Sequence, residues 1–365
     1  NNINQNNLKE YSVVYTSSSL NHMSNSFQFI MKEISNKLKF VYSADSCLLV
    51  PGGGSFAMEA VARQFATNKN CLVIRNGMFS YRWTQIFEMG NIPKEHYVIK
   101  ARKLTQDSFE PFHPPPIVEV LHEINTKKPH LVFAPHVETS SGIILPLDYI
   151  QQISRCVHEY GGLFVLDCIA SGCIWIDMRE AGVDVLITAP QKGWSSSPGF
   201  GMVMLSSNAL IQLNETTSSS FVCDLKKWYQ IMKTYEEGGH AYHATMPTDS
   251  IAKLFQSINE IEQIGFAEMS RRQQELGDKV RQLLVLKGYP SVSAEGYQSP
   301  GVVVSYTRNP SIKSGLSFLE KGVQISAGVP LFCDEGSDFL TFRIGLFGID
   351  KLTSIDETVA NLGEV

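Results

Sequence analysis

Leu163-Phe164-Val165-Leu166-Asp167 and Val185-Leu186-Ile187-Thr188-Ala189-Pro190-Gln191-Lys192 decide how this chain folds. Both are short runs, apolar almost throughout, that end on a polar or charged residue. Continuous rather than alternating hydrophobicity suits strands buried on both faces, the condition of a parallel sheet covered by helices. Such sheets bind their ligands outside the carboxyl ends of the strands. Asp167 and Lys192 therefore stand where chemistry is expected.

The same texture extends outward from these runs. Cys47–Val50, Cys71–Arg75, Leu131–Ala134 and Met202–Leu205 read as further strands. Between them, residues 56–65 carry Ala57, Ala60, Val61 and Phe65 on one helical face, and residues 147–158 group Ile150, Ile153 and Val157. Alternation of this kind predicts an α/β fold with a largely parallel sheet. After His243 the pattern changes. Pro247 and Thr248 open a long helical stretch with Ile251, Leu254, Phe255, Ile258 and Ile261 in one stripe, and Gly265 interrupts it. Strand-like runs at 301–306 and 339–344 then predict a smaller α+β domain, while Ser218–Ser220 reads as an exposed loop.

A chain of 365 residues exceeds one ordinary core, so two domains are expected. Hydrophobic residues at 43% and charged residues at 18% describe a globular, soluble chain. No apolar run reaches the length of a membrane span. A net charge of −5 without a long basic run argues against nucleic acid as the main partner. Seven scattered cysteines, mostly in apolar segments, suggest neither a disulfide framework nor a metal site, and point to reduced thiols in a cytoplasm-like compartment. Asn1 to Asn7 are polar, with neither a basic start nor an apolar signal core. The missing initiator Met suggests a trimmed or processed chain, so an earlier import sequence stays open.

Four features carry the chemistry. Pro51-Gly52-Gly53-Gly54-Ser55 follows a strand and opens a helix, offering free N–H groups to an anion, or simply making a turn. It has neither the Lys-Ser/Thr ending of a P-loop nor the spacing of a dinucleotide fingerprint. Asp167 can pair with a protonated ring nitrogen or cap a helix. Lys192, among small and apolar neighbours, is either an ordinary surface lysine or an amine made nucleophilic by desolvation. Arg343, inside the apolar run Phe339–Ile344, suits a bidentate carboxylate clamp or a structural salt bridge.

In order and spacing these features resemble the class V, fold type I pyridoxal-phosphate aminotransferases, nearest the alanine–glyoxylate and serine–pyruvate group. The resemblance runs from about Asn21 to Leu352. It is carried by His136-Val137-Glu138-Thr139-Ser140-Ser141-Gly142, Leu166-Asp167-Cys168-Ile169-Ala170-Ser171, Gln191-Lys192 with Pro198-Gly199, and Phe342-Arg343-Ile344-Gly345.

The resemblance implies a large domain with a mainly parallel, seven-stranded type of sheet. It implies an arm over residues 1–20, a cofactor domain over 21–246, and a linker helix with a small C-terminal domain over 247–365. It further implies pyridoxal 5′-phosphate held by Lys192 as an imine, with Asp167 on the ring nitrogen. Gly53, Gly54, Ser55 and Gln191 would hold the phosphate, Phe79 and Ile169 the two ring faces, and Thr139 the ring hydroxyl. Arg343 would clamp the substrate carboxylate. Tyr242-His243-Ala244-Thr245 resembles a segment that crosses a dimer interface, so Tyr242 and Thr245 would act in trans within a homodimer. The implied reaction moves an amino group between a small amino acid such as alanine or serine and a 2-oxo acid such as glyoxylate or pyruvate.

Two rivals share this cofactor. A 2-aminoethylphosphonate–pyruvate transaminase would want extra basic residues in the pocket, for which Arg82 and Lys103 are candidates. A lyase or cysteine desulfurase would need a nucleophilic cysteine, for which Cys333 lies in roughly the right region. The sequence departs from the family at two places. Tyr15-Thr16-Ser17-Ser18-Ser19 stands where a Pro-Gly-Pro opening is common. Trp194 follows Lys192-Gly193 and is expected either to narrow the pocket or to pack against the partner subunit.

Overall fold

The computed structural model describes residues 8–364; the polar start Asn1 to Asn7 lies outside them. A seven-stranded sheet organises the larger part of the chain. Its strands are β1 (Ser46–Pro51), β2 (Asn70–Arg75), β3 (Glu95–Lys100), β4 (Leu131–Pro135), β5 (Leu163–Asp167), β6 (Val185–Thr188) and β7 (Phe200–Leu205). They lie side by side in the order β1-β7-β6-β5-β4-β2-β3. Strand β7 runs antiparallel to both neighbours, and every other pairing is parallel.

The six strands expected from apolar runs all form, five of them extended by one or two residues and Val185–Thr188 with the bounds expected. Edge strand β3 was not foreseen. Its residues are half-buried or exposed, so Glu95-His96-Tyr97-Val98-Ile99-Lys100 shows no continuous apolar run. The antiparallel β7 looks like its neighbours in sequence because burial on both faces, not strand direction, sets its composition.

Helices α1 (Asn25–Tyr42), α2 (Gly54–Val61), α3 (Met78–Gly90), α4 (Ile117–Lys127) and α5 (Leu147–His158) flank the sheet. One apolar core joins them to it. Beyond Val61, residues Ala62–Ala66 wind as a π-helix rather than continuing α2, which keeps Phe65 in the core. Helix α6 (Thr248–Ile264) ends at Gly265, and α7 (Phe266–Leu286) follows at once. A second sheet of β8 (Val302–Tyr306), β9 (Ser326–Ala327) and β10 (Thr341–Gly345) has β10 in the middle. Helices α8 (Ile349–Thr353) and α9 (Ile355–Gly363) complete it, with α9 packed on α7. Among the described residues, no helix is long and apolar enough to cross a membrane.

Because β1 to β6 all point one way, their carboxyl ends form a single rim. Pro51, Arg75, Pro135, Asp167 and Thr188 each sit at the end of one of these strands. The segments leaving them supply most of the site.

Candidate active site

A cavity opens at this rim, lined by Gly54, Ser55, Phe79, Thr139, Asp167, Ile169, Gln191 and Lys192, all expected from the sequence. Met58, Arg82, Val137 and Ala170 complete the lining. Gly53 is the residue from which α2 starts, and no side chain caps that helix end. At Gly54 the backbone approaches its neighbour closely: a Cβ there would lie 2.6 Å from Ile169 Cδ1. A larger residue there would have to displace the tip of the isoleucine side chain.

Asp167 ends β5 and is buried. The Ile169 N–H donates to its Oδ1 at 2.9 Å, and among the described residues it has no cationic partner. Burial pushes its carboxyl up to about 7, against smaller opposing effects of that hydrogen bond and of the Arg82 charge. A buried carboxylate without a counter-charge is costly, and a protonated ring nitrogen supplies what is missing. Nearby, His136 is buried with Nδ1 2.7 Å from Ser171 Oγ, and burial lowers its pKa to about 4, so it stays neutral.

Lys192 is half-buried, with no ion pair among the described residues. Burial first, and the Arg343 charge second, lower its pKa. Its Nζ lies 5.3 Å from the ring centroid of Phe347, a residue that no sequence pattern singled out. Gly193 lets this loop pass against Gly172, whose carbonyl oxygen would be 2.0 Å from an added Cβ.

Trp194 neither narrows the cavity nor offers itself to a partner subunit; both expectations are corrected. It is 1% exposed within this one chain. Its ring packs against Trp175 at 4.5 Å and against Tyr42 and Phe266, and its Nε1–H donates to Tyr42 Oη at 3.2 Å. Burying that aromatic surface behind the lysine loop outweighs exposing it.

Phe79 lies in the first turn of α3, and its position is fixed by a residue whose role sequence reading missed. Glu138 is fully buried and accepts from Phe79 N–H (3.1 Å), Ser80 N–H (2.9 Å) and Ser140 N–H (3.1 Å). The hydroxyls of Ser80 and Ser140 donate to it as well, at 2.6 and 2.7 Å. The available signal was its place in His136-Val137-Glu138-Thr139-Ser140-Ser141-Gly142, which carries the family resemblance without showing what the acid holds. Arg343, in β10, donates from Nε to the Ala327 carbonyl at 2.8 Å and stands 5.7 Å from the Phe79 ring. It forms no salt bridge among the described residues, so the structural ion pair weighed above is not made.

Tyr242 and Thr245 are not brought to this cavity. Both are exposed and hydrogen-bonded to each other at 3.2 Å, beside His22. Lys103 is also absent from it, donating instead to the carbonyls of Asp107 and Ser108.

The fold is that of solved aminotransferases. Alanine–glyoxylate aminotransferase from Nostoc superposes with a TM-score of 0.79 at 22% identity, over 94% of this chain and 88% of that one. An aspartate aminotransferase of subgroup IV from Thermus thermophilus gives 0.77 at 20%, over 95% and 92%. Residues 2–330 match the family described as aminotransferase class-V, and this chain belongs to that family. It is an aminotransferase that uses pyridoxal phosphate to move amino groups between amino acids and 2-oxo acids. Among curated relatives, alanine–glyoxylate aminotransferase 1 of Saccharomyces cerevisiae is 26% identical over 91% of this chain and 86% of its own length. The 2-aminoethylphosphonate–pyruvate transaminase of Bacillus mycoides is also 26% identical, over 88% and 85%.

Proposed function

We propose that the enzyme transfers the amino group of a small amino acid, such as alanine or serine, to a small 2-oxo acid such as glyoxylate or pyruvate. The observation that carries this reading is one cavity holding a desolvated lysine, a buried carboxylate without a counter-charge and, nearby, an arginine without an ion pair. That donor set fits pyridoxal phosphate and an α-carboxylate. In this reading residues 21–246 form the cofactor domain and 247–365 the linker helix and small domain.

Lys192 would hold the cofactor covalently until the substrate's amine displaces it, and the Nζ freed in that exchange would then take the proton from the substrate Cα. Asp167 keeps the ring nitrogen protonated. Bound pyridoxal phosphate supplies the electron sink that stabilises the charge left at Cα. Gly53, Gly54, Ser55 and Gln191 hold its phosphate, Thr139 its ring hydroxyl, and Phe79 and Ile169 its two faces. Arg343 orients the substrate by its carboxylate. Tyr242 and Thr245, exposed and away from the cavity of their own chain, serve the other active site of a homodimer. The compartment we propose is cytoplasmic.

A phosphonate donor is the nearest rival, given the names of relatives at similar identity. It calls for cations beyond Arg343, yet Lys103 is engaged elsewhere and Arg82 is turned to Ser55 at the glycine turn. Desulfurase chemistry is disfavoured because Cys333 is buried and burial pushes its thiol far up, opposite to what a nucleophile needs.

The test is an absorption spectrum of the pure protein before and after each member of an amino-acid panel that includes 2-aminoethylphosphonate. Small amino acids should bleach the lysine-bound form, and Lys192→Ala should abolish both that band and turnover. A Lys192→Ala variant that still turns over would refute the assignment.

A further inference from the structure

Arg82 lies one helical turn beyond Phe79 on α3 and lines the cavity. Its Nη1 donates to Ser55 Oγ at 2.8 Å, and its Cζ stands 5.2 Å from the Phe79 ring centroid. Among the described residues it has no carboxylate partner. A guanidinium is a permanent cation with five N–H donors in a rigid fork, and one hydrogen bond to a hydroxyl leaves most of them for an anion.

Ser55 belongs to the first turn of α2, the helix that starts without a side-chain cap and without an acidic residue in its first turn. A helix end contributes roughly half a positive charge. A phosphate monoester carries about −1.5 to −2. The turn alone therefore leaves most of that charge uncompensated, and Arg82 is the cation hydrogen-bonded to the same turn. Phe79 places it there: the ring and the guanidinium share one helix face, so the residue that covers the cofactor ring and the residue that neutralises its phosphate move together.

We propose that Arg82 is a phosphate-binding residue of the cofactor site, acting with Ser55 at the start of α2. The inference rests on the pyridoxal-phosphate reading of the cavity. It also gives Arg82 a partner other than a substrate phosphonate.

The experiment titrates apoenzyme with pyridoxal phosphate and, separately, with pyridoxal, which lacks the phosphate. Arg82→Gln should weaken pyridoxal phosphate on the order of 10- to 100-fold, the scale of one lost charge-assisted hydrogen bond, and leave pyridoxal unchanged. Arg82→Lys should fall between, since it keeps the charge but not the fork. Inorganic phosphate should compete with pyridoxal phosphate in the wild type and lose that effect in Arg82→Gln. An equal loss for both ligands with a lowered melting temperature would make Arg82 structural. An unchanged cofactor affinity with a raised KM for an anionic substrate would assign it to substrate instead. Either result overturns the inference. Wild-type protein that binds neither ligand would sink the cofactor reading itself, a failure distinct from one confined to the Arg82 variants.

Discussion

The carboxylate of Glu138 accepts the backbone N–H of Phe79 at 3.1 Å, so a buried acid on one strand-end segment fixes the aromatic that faces the cavity from another. Every donor around that carboxylate belongs to the same corner: Phe79, Ser80 and Ser140. Glu138→Ala leaves these donors buried and unmet. It should lower stability by about 3–5 kcal/mol, and Glu138→Gln by about 1–3, because the amide can accept on one side only. Urea unfolding of the two apo variants checks this; an Ala variant as stable as the wild type would mean that water replaces the carboxylate.

Gly54 and Ile169 form a second dependent pair. Gly54→Ala should weaken cofactor binding by about 1–3 kcal/mol through overpacking, since the new methyl meets Ile169 Cδ1. Ile169→Val removes that atom. The double variant should therefore recover most of the affinity, measured by cofactor titration, and failure to recover would trace the loss to the turn rather than to the clash.

Asp167 should make the apoprotein lose stability as pH rises. Its folded pKa, about 7, lies above its ordinary 3.8, so the folded state binds the extra proton between those values. The contribution is fully present below about 4 and is lost as pH rises through about 7, amounting at most to about 4 kcal/mol. Asp167→Asn should remove this slope. Comparing the two apoproteins by urea unfolding at pH 5 and pH 8, the variant should gain on the wild type at the higher pH; parallel curves would show that Asp167 is not desolvated in solution.

Trp194 should matter to stability and not to assembly. Trp194→Ala should cost about 3–5 kcal/mol, and Tyr42→Phe about 1, because the latter leaves the indole N–H without its acceptor. Neither should change the oligomeric state measured by sedimentation, since the indole is buried within its own chain. A changed oligomeric state in Trp194→Ala would restore the interface role that this burial argues against.

The sequence by itself determined six of the seven strands, the rim and most of the residues that line the cavity. Strands buried on both faces must be apolar throughout, so β1, β2, β4, β5, β6 and β7 were legible, as were Asp167 and Lys192 standing at their ends. What only the tertiary structure decided depends on partners distant in the chain. Edge strand β3 is covered on too little of its surface to need an apolar run. Trp194 could be placed only once Tyr42, Trp175 and Phe266 were seen to enclose it. Glu138, Arg82 and Phe347 acquire their places from contacts with α3, Ser55 and Lys192, and a charge or ring that is satisfied across the fold leaves no periodic trace in sequence. Local pattern reports how much of a residue is buried, while the identity of what buries it is settled only when the strand ends converge.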